Sequence, residues 1–187
     1  MKAAMNHLNR AVFLLVFLGV AGCANAPVHR DSAVPLSVED SVDLERYLGR
    51  WYEIARLPNR FEKNCEGVTA DYGRRDDDYL SVTNTCRTGA PDGPVKVAKG
   101  RVRLVDEAVT AKLEVSFFGP FWGDYWILDL APDYSLSIVG EPSGRYLWVL
   151  SRTPTISNQT RETTLRTLKA FGYDIEALYF TKQPPAP

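Results

Sequence analysis

Histidine and methionine are almost absent from this chain of 187 residues. There are two of each, and all four (Met1, Met5, His7 and His29) lie within the first 29 positions. A domain folded from the remainder works without the commonest general base, the commonest zinc ligand and the usual haem ligands, so no metal and no cofactor is expected. An excess of charge is missing too: 22 basic residues face 23 acidic ones. No basic face is implied, and nucleic acid is not an expected partner. The N-terminal apolar run, Ala11 to Gly22, spans 12 residues, whereas a bilayer-crossing helix needs roughly 20. What is present is ample core material, with 45% apolar and 24% charged residues, enough for one ordinary domain.

The first 22 residues read as a signal peptide. Lys2 and Arg10 precede an apolar stretch, small residues follow, and no acidic residue occurs before Asp31. Val20-Ala21-Gly22-Cys23 resembles the bacterial lipobox, in which the cysteine is acylated and becomes the first mature residue. The resemblance implies a lipoprotein anchored through Cys23. Ala24 in place of Asp points, by the sorting rule of such proteins, to the outer membrane, facing the periplasm. Removing residues 1–22 takes away Lys2 and Arg10 and no acid, leaving a formal charge of −3. Residues 23–40, with Pro27 and Pro35 and little apolar periodicity, read as the lipidated terminus and a flexible tether. Extended, that tether reaches roughly 50–60 Å from the membrane. A barrel domain is expected over 41–183 and a frayed tail over 184–187.

With Cys23 acylated, Cys65 and Cys86 are left as an even pair in an oxidising compartment. They lie nearly symmetrically about Arg74-Arg75-Asp76-Asp77-Asp78. If that stretch is a hairpin turn, the sulfurs meet near its open end; a one-residue slip in register would separate them.

From Gly49 onward, short β-rich runs alternate with turn signals. The expected strands are Trp51–Leu57, Glu66–Tyr72, Tyr79–Cys86, Val95–Val105, Ala111–Phe117, Tyr125–Leu130, Tyr134–Gly140 and Arg145–Arg152. One helix is expected over Ser157–Phe171, with Ser157 as N-cap, Leu165 and Leu168 as its buried stripe and Gly172 past its end, followed by a short last strand over Ile175–Thr181. Sequential strands with one late helix predict an all-β protein: eight antiparallel strands closing into an up-and-down barrel, with the helix packed outside. A two-sheet sandwich has the same periodicity.

Three motifs then stand in order. Gly49-Arg50-Trp51 opens the first strand, Ala131-Pro132-Asp133-Tyr134 joins the sixth to the seventh, and Leu150-Ser151-Arg152 ends the eighth. Together they resemble the lipocalins, with Pro132 where that family has Thr. Ser116–Phe121 and Tyr146–Ile156 look especially like the bacterial outer-membrane lipocalins, and apolipoprotein D is similar in pattern. In an up-and-down barrel all three motifs fall at one end. Gly49, Trp51, Asp133, Tyr134 and Arg152 are therefore read as a structural floor, with the Arg152 guanidinium over the Trp51 indole.

The resemblance implies a lipid carrier: a barrel cavity for fatty acids or lysophospholipids, with Tyr47, Tyr72, Asn84 and Trp148 in or beside it. Strand parity adds its own candidates. If Arg152 faces inward, so do Trp148 and Tyr146; Leu113, Val115 and Phe117 share an apolar face; Ala70 and Val82 are expected inside with Tyr72 and Asn84. The same side chains could simply fill the barrel, which would leave a structural or partner-binding lipoprotein. Catalysis is not expected, because the remaining candidates, Glu53, Glu66 and the tyrosines, form no nucleophile–base pattern. Phe118-Gly119-Pro120-Phe121-Trp122 places aromatics where loops are ordinarily polar. A ligand gate, a membrane-dipping tip, a homodimer contact, or aromatics folded back on the strands all fit.

Overall fold

The computed structural model describes residues 27–185. The signal segment 1–22, Cys23 and the last two residues of the tail lie outside the described residues. A short helix α1 (Leu44–Tyr47) precedes eight strands: β1 (Gly49–Arg56), β2 (Cys65–Arg74), β3 (Leu80–Thr88), β4 (Val95–Leu104), β5 (Lys112–Phe118), β6 (Phe121–Leu130), β7 (Leu136–Gly140) and β8 (Leu147–Ser151). Helix α2 (Asn158–Ala170), a 3-10 turn (Ile175–Ala177) and a two-residue strand β9 (Tyr179–Phe180) follow. Each strand pairs antiparallel with the next, and β1 pairs with both β8 and β2, so the sheet closes on itself. Closure rules out the sandwich and leaves no edge along the ring where β1 meets β2.

The strands are tilted: Leu80 at the start of β3 is level with Val102, Val115 and Gly123 across β4, β5 and β6. As a result β4 pairs with β5 only over Arg101–Leu104, and the β3–β4 hairpin projects beyond it. Connections alternate between two ends. The end holding Trp51 and Arg152 is the floor; the β1–β2, β3–β4, β5–β6 and β7–β8 connections form the mouth.

Alternation along the strands makes two apolar layers. Inside the ring, Trp51, Tyr72, Val82, Val102, Leu113 and Ile127 belong to one cluster. On the outside, Ile54, Leu128, Ile138, Leu147 and Val149 pack with Leu168 of α2. Ser157 caps α2 by accepting from Thr160 N at 3.0 Å. The helix buries Thr164 and Leu168. These are spaced four apart, so Leu165, expected in the stripe, is turned to the helix flank and only half-buried.

Three expected strand bounds are corrected. The eighth strand starts at Leu147 rather than Arg145, because the buried Glu141 carboxylate accepts from the backbone N–H groups of Ser143, Arg145 and Tyr146 and holds them in a loop. The seventh starts at Leu136, because Tyr134 takes a left-handed φ of 62° in the turn. The last strand shrinks to Tyr179–Phe180, because Asp174 caps a 3-10 turn by accepting from Glu176 N.

Residues 29–40 are not a free tether. His29 N donates to Gly144 O, Asp31 N to Gly172 O and Glu39 N to Ile127 O, while the Glu39 carboxylate accepts from Leu130 N. The Arg30 guanidinium donates to Phe171 O and lies 5.9 Å from the Tyr173 ring centroid. Val34, Leu36 and Val38 turn inward in alternation, with Leu36 and Val38 on the apolar clusters, a short period-2 run that Pro35 masks in the sequence.

Candidate functional site

The floor is built on Arg152. Its guanidinium lies 3.8 Å from the Trp51 ring centroid and donates to Arg50 O at 2.8 Å, Arg46 O at 2.7 Å and Tyr47 O at 3.2 Å. Trp51 is fully buried and its indole N–H donates to Tyr47 O at 2.9 Å. Gly49 takes φ +91°, so this position needs glycine for conformation; a Cβ would find ordinary van der Waals room, 3.5 Å from the Arg152 Nη1 atom. Asp133 tightens the neighbouring turn by accepting from Ser135 N, and the Ser135 side chain together with that backbone bond holds its carboxyl below the usual range. Tyr134 lies under the Arg46 guanidinium and accepts from Asp43 N. These five residues are one scaffold that closes the barrel below.

Directly above sits a group of tyrosines. The Tyr72 hydroxyl donates to Tyr125 Oη at 2.8 Å; the Tyr47 hydroxyl lies 3.0 Å from Tyr125 Oη and 3.2 Å from Ser137 Oγ. Burial pushes Tyr47 up to about 12 and raises Tyr72 and Tyr125 as well, so all three stay neutral at any working pH. Tyr47 and Tyr72 were expected in the ligand lining; they are buried in the inner core, with Ala70, Val82 and Leu113 beside them. Tyr125 was missed, although it is the cross-strand partner of the inward Leu113 and so was open to the parity argument.

The upper half is less filled. Trp148, Val115 and Phe117 are half-buried against the same inner cluster. A Cβ on Gly100 would stand 2.9 Å from the Phe117 ring, so the glycine makes room for that aromatic. Asn84, opposite Ala70 on β3, has a buried Oδ1 with no hydrogen-bond partner among the described residues. Tyr146 is at the rim, its ring nearly parallel to Trp148 at 6.0 Å between centroids and 5.9 Å from Phe61. Cys65 and Cys86 are bridged and join β2 to β3 at the mouth, as the hairpin reading requires.

One polar cluster had no sequence signal. The Trp148 indole N–H donates to Glu62 Oε2 at 2.9 Å, and Asn59 Nδ2 donates to the same atom at 2.6 Å. Beneath them Glu53, almost fully buried, pairs with Arg56 at 2.5 Å and accepts from Thr181. Arg56 donates further to Glu62 O and Cys65 O. Burial, and then the nearby Glu62 carboxylate, push Glu53 well above the ordinary carboxylate range, against the pull of Arg56. Glu66, the other carboxylate considered for chemistry, is tied to Tyr179 and Lys182 N. Among the described residues no group of three or more His, Cys, Asp or Glu is placed to hold a metal.

A closed up-and-down eight-stranded barrel with one external helix and an aromatic–arginine floor defines the lipocalin class. Residues 42–183 match the lipocalin-like domain family, and the chain belongs to that family. It is 39% identical over 175 residues to outer membrane lipoprotein Blc of Escherichia coli K12, covering 91% of this chain and 98% of that protein. To Blc of Vibrio cholerae it is 37% identical over 176 residues, 93% and 99% of the two chains. To mouse apolipoprotein D it is 34% identical over 161 residues, 80% and 82%. Among solved structures, insecticyanin of the tobacco hornworm Manduca sexta superposes with a TM-score of 0.65 at 21% identity, covering 81% of this chain and 86% of that one. That likeness concerns the fold alone.

Proposed function

We propose that this protein is a lipid carrier, acylated at Cys23 and held at the outer membrane on its periplasmic side, that takes the apolar chain of a fatty acid or lysophospholipid into the upper half of the barrel without altering it. The observation that carries the reading is the inner surface near the mouth. Half-buried Trp148, Val115 and Phe117 form an apolar wall, and Asn84 holds an unpartnered acceptor among them. An apolar wall with a few oriented polar groups suits a long chain with one polar end. The two named Blc proteins, both outer membrane lipoproteins, support the anchoring.

The rival reading, a scaffold lipoprotein with a filled barrel, draws on the Tyr47–Tyr72–Tyr125 group that occupies the lower half. Titration of Trp148 fluorescence with palmitate and with a lysophospholipid of equal chain length separates the two. Saturable quenching in the wild type, lost in Asn84→Phe with the far-UV circular dichroism unchanged, supports the carrier. Unquenched fluorescence with both lipids supports the scaffold, and recovery of chemically altered lipid would make the protein an enzyme.

A further inference from the structure

The two ends of the barrel differ in charge and in apolar exposure. On the mouth connections and the projecting β3–β4 hairpin stand Arg60, Lys63, Arg87, Lys96, Lys99 and Arg145, against Asp92, half-buried Glu62 and buried Glu141. The floor connections carry Asp76, Asp77, Asp78, Asp106, Glu107 and Asp133. Basic groups there include Arg74 and Arg75, but these are paired with Glu45 and Asp77. Most of the large exposed apolar side chains also gather at the mouth: Phe61 at 63% exposure, Phe118 at 78%, Phe121 at 77%, with Val95 and Val97 on the hairpin. A folded-back position for Phe118 and Phe121, one of the readings of that loop, does not occur; only Trp122 packs down, on Tyr79 and beneath Arg103.

The N-terminal segment supplies a second, independent observation. It enters the described structure at the mouth, where His29 N bonds to Gly144 O, and then runs to the floor, where Val42 N bonds to Thr110. His29 is six residue steps from Cys23. They span at most about 20 Å. An acyl chain on Cys23 would therefore hold the mouth, not the floor, next to the bilayer.

We propose that the mouth end docks face-down on an anionic phospholipid surface, with Phe61, Phe118 and Phe121 among the headgroups and Lys63, Lys96 and Lys99 against the phosphates. Aromatic side chains seat well at that depth, and basic residues beside them are drawn by the negative surface potential. The acidic floor is repelled by the same surface, so charge and anchor select one orientation. A lipid could then pass between leaflet and barrel without crossing water. The orientation rests in part on the acylation of Cys23 proposed above; the docking surface does not.

The test uses the mature chain, residues 23–187 with Cys23→Ser, which carries neither the signal segment nor an acyl group, so failure of the anchor and failure of the docking are read separately. Co-sedimentation is measured with vesicles of 30% phosphatidylglycerol in phosphatidylcholine and with phosphatidylcholine alone. The protein should bind the anionic vesicles and release at 0.5 M salt. Lys96→Glu with Lys99→Glu should weaken binding by more than tenfold, on the order of fivefold per charge removed. Phe118→Ser with Phe121→Ser should do so as well, with circular dichroism unchanged. Asp106→Ala with Glu107→Ala, at the floor, should leave it unchanged or stronger. Equal affinity for neutral and anionic vesicles overturns the proposal. So does insensitivity to the mouth substitutions, or sedimentation equilibrium showing that Phe118 and Phe121 are needed for a stable dimer instead.

Discussion

The indole N–H of Trp148 donates to Glu62 Oε2 across the mouth, joining a strand residue of the barrel wall to the β1–β2 loop. Asn59 bonds the same oxygen, so this carboxylate ties the loop to the wall, beside the Arg56 bond to Glu62 O. Glu62→Ala should loosen the loop and leave the indole N–H unpaired. A hydrogen bond to a charged acceptor is worth about 1.5–3 kcal/mol, and part of that should appear as lost stability. Hydrogen exchange should accelerate at residues 58–64 while the strand cores stay protected. Glu62→Gln keeps an acceptor and should restore much of the protection.

At the floor, Trp51→Ala should cost about 3–5 kcal/mol, since a large, fully buried aromatic is truncated. Arg152→Ala leaves the Arg46 and Arg50 carbonyls without this donor, leaves Tyr47 O with the Trp51 indole alone, and uncovers the indole ring. A cost of roughly 2–3 kcal/mol follows. Arg152→Lys should recover only part of it, because one ammonium cannot reach carbonyls spread over Arg46, Tyr47 and Arg50 while covering a ring. Chemical denaturation reads all three. Lipid stoichiometry should not change in variants that remain folded; loss of binding at unchanged stability would move these residues from scaffold to site.

The floor was the most legible part of the molecule. Trp51 and Arg152 sit next to turn signals and share an end by strand counting, so their contact follows once the barrel closes. Inward positions on β5 and β8 were legible for a similar reason: parity is a local property. What parity cannot show is depth. Tyr72 and Asn84 face the same interior, yet Tyr72 is buried in the tyrosine group and Asn84 is only half-buried above it, because strand tilt decides which inward residue lies at which level. The Glu53–Arg56–Glu62 cluster was illegible for another reason. A bulge between Glu53 and Ala55 shifts the alternation, and Glu62 comes from a loop without period. The docking of residues 29–40 rests on backbone bonds, which sequence pattern does not report, and on a Val34-Leu36-Val38 alternation too short and proline-interrupted to stand out.

Tyr125 links the other two tyrosines, so removing its hydroxyl should cost more than removing either neighbour's. Tyr125→Phe leaves Tyr72 without an acceptor and Tyr47 with Ser137 alone, at about 1–3 kcal/mol. Tyr72→Phe removes one terminal donor and should cost on the order of 1 kcal/mol. The double variant should cost less than the sum, because the bond between the two hydroxyls is removed only once. Additive losses in a double-mutant cycle would show that the hydroxyls act separately.

Opening the Cys65–Cys86 bridge should weaken the mouth more than the floor. The bridge closes 21 residues of chain, for which loop entropy alone predicts about 3 kcal/mol. The β2–β3 hairpin already brings those residues together, so a smaller loss is expected for Cys65→Ala with Cys86→Ala. Thermal melting should fall by several degrees, and the added exchange should be confined to the mouth ends of β2 and β3. A uniform increase across the barrel would mean that the bridge supports the whole fold.

Glu53 sets the pH dependence of stability. Its pKa in the folded protein is raised above the ordinary carboxylate value, first by burial and then by Glu62. The unfolded chain releases this proton near its usual pKa of about 4.3, while the folded chain still holds it. Between those two values the folded state binds more protons, so stability declines as pH rises. The contribution is fully present below the unfolded value and is lost as pH climbs toward the folded one. Glu53→Gln cannot ionise and should flatten that decline. In the acid range the folded protein holds Glu53 protonated, so Gln stands in for it there, and the variant should start at similar stability and gain on the wild type as pH rises. Urea denaturation of both proteins from pH 4 to pH 8 gives two curves that should diverge. Parallel curves would mean that Glu53 is ionised throughout, with Arg56 outweighing both burial and Glu62.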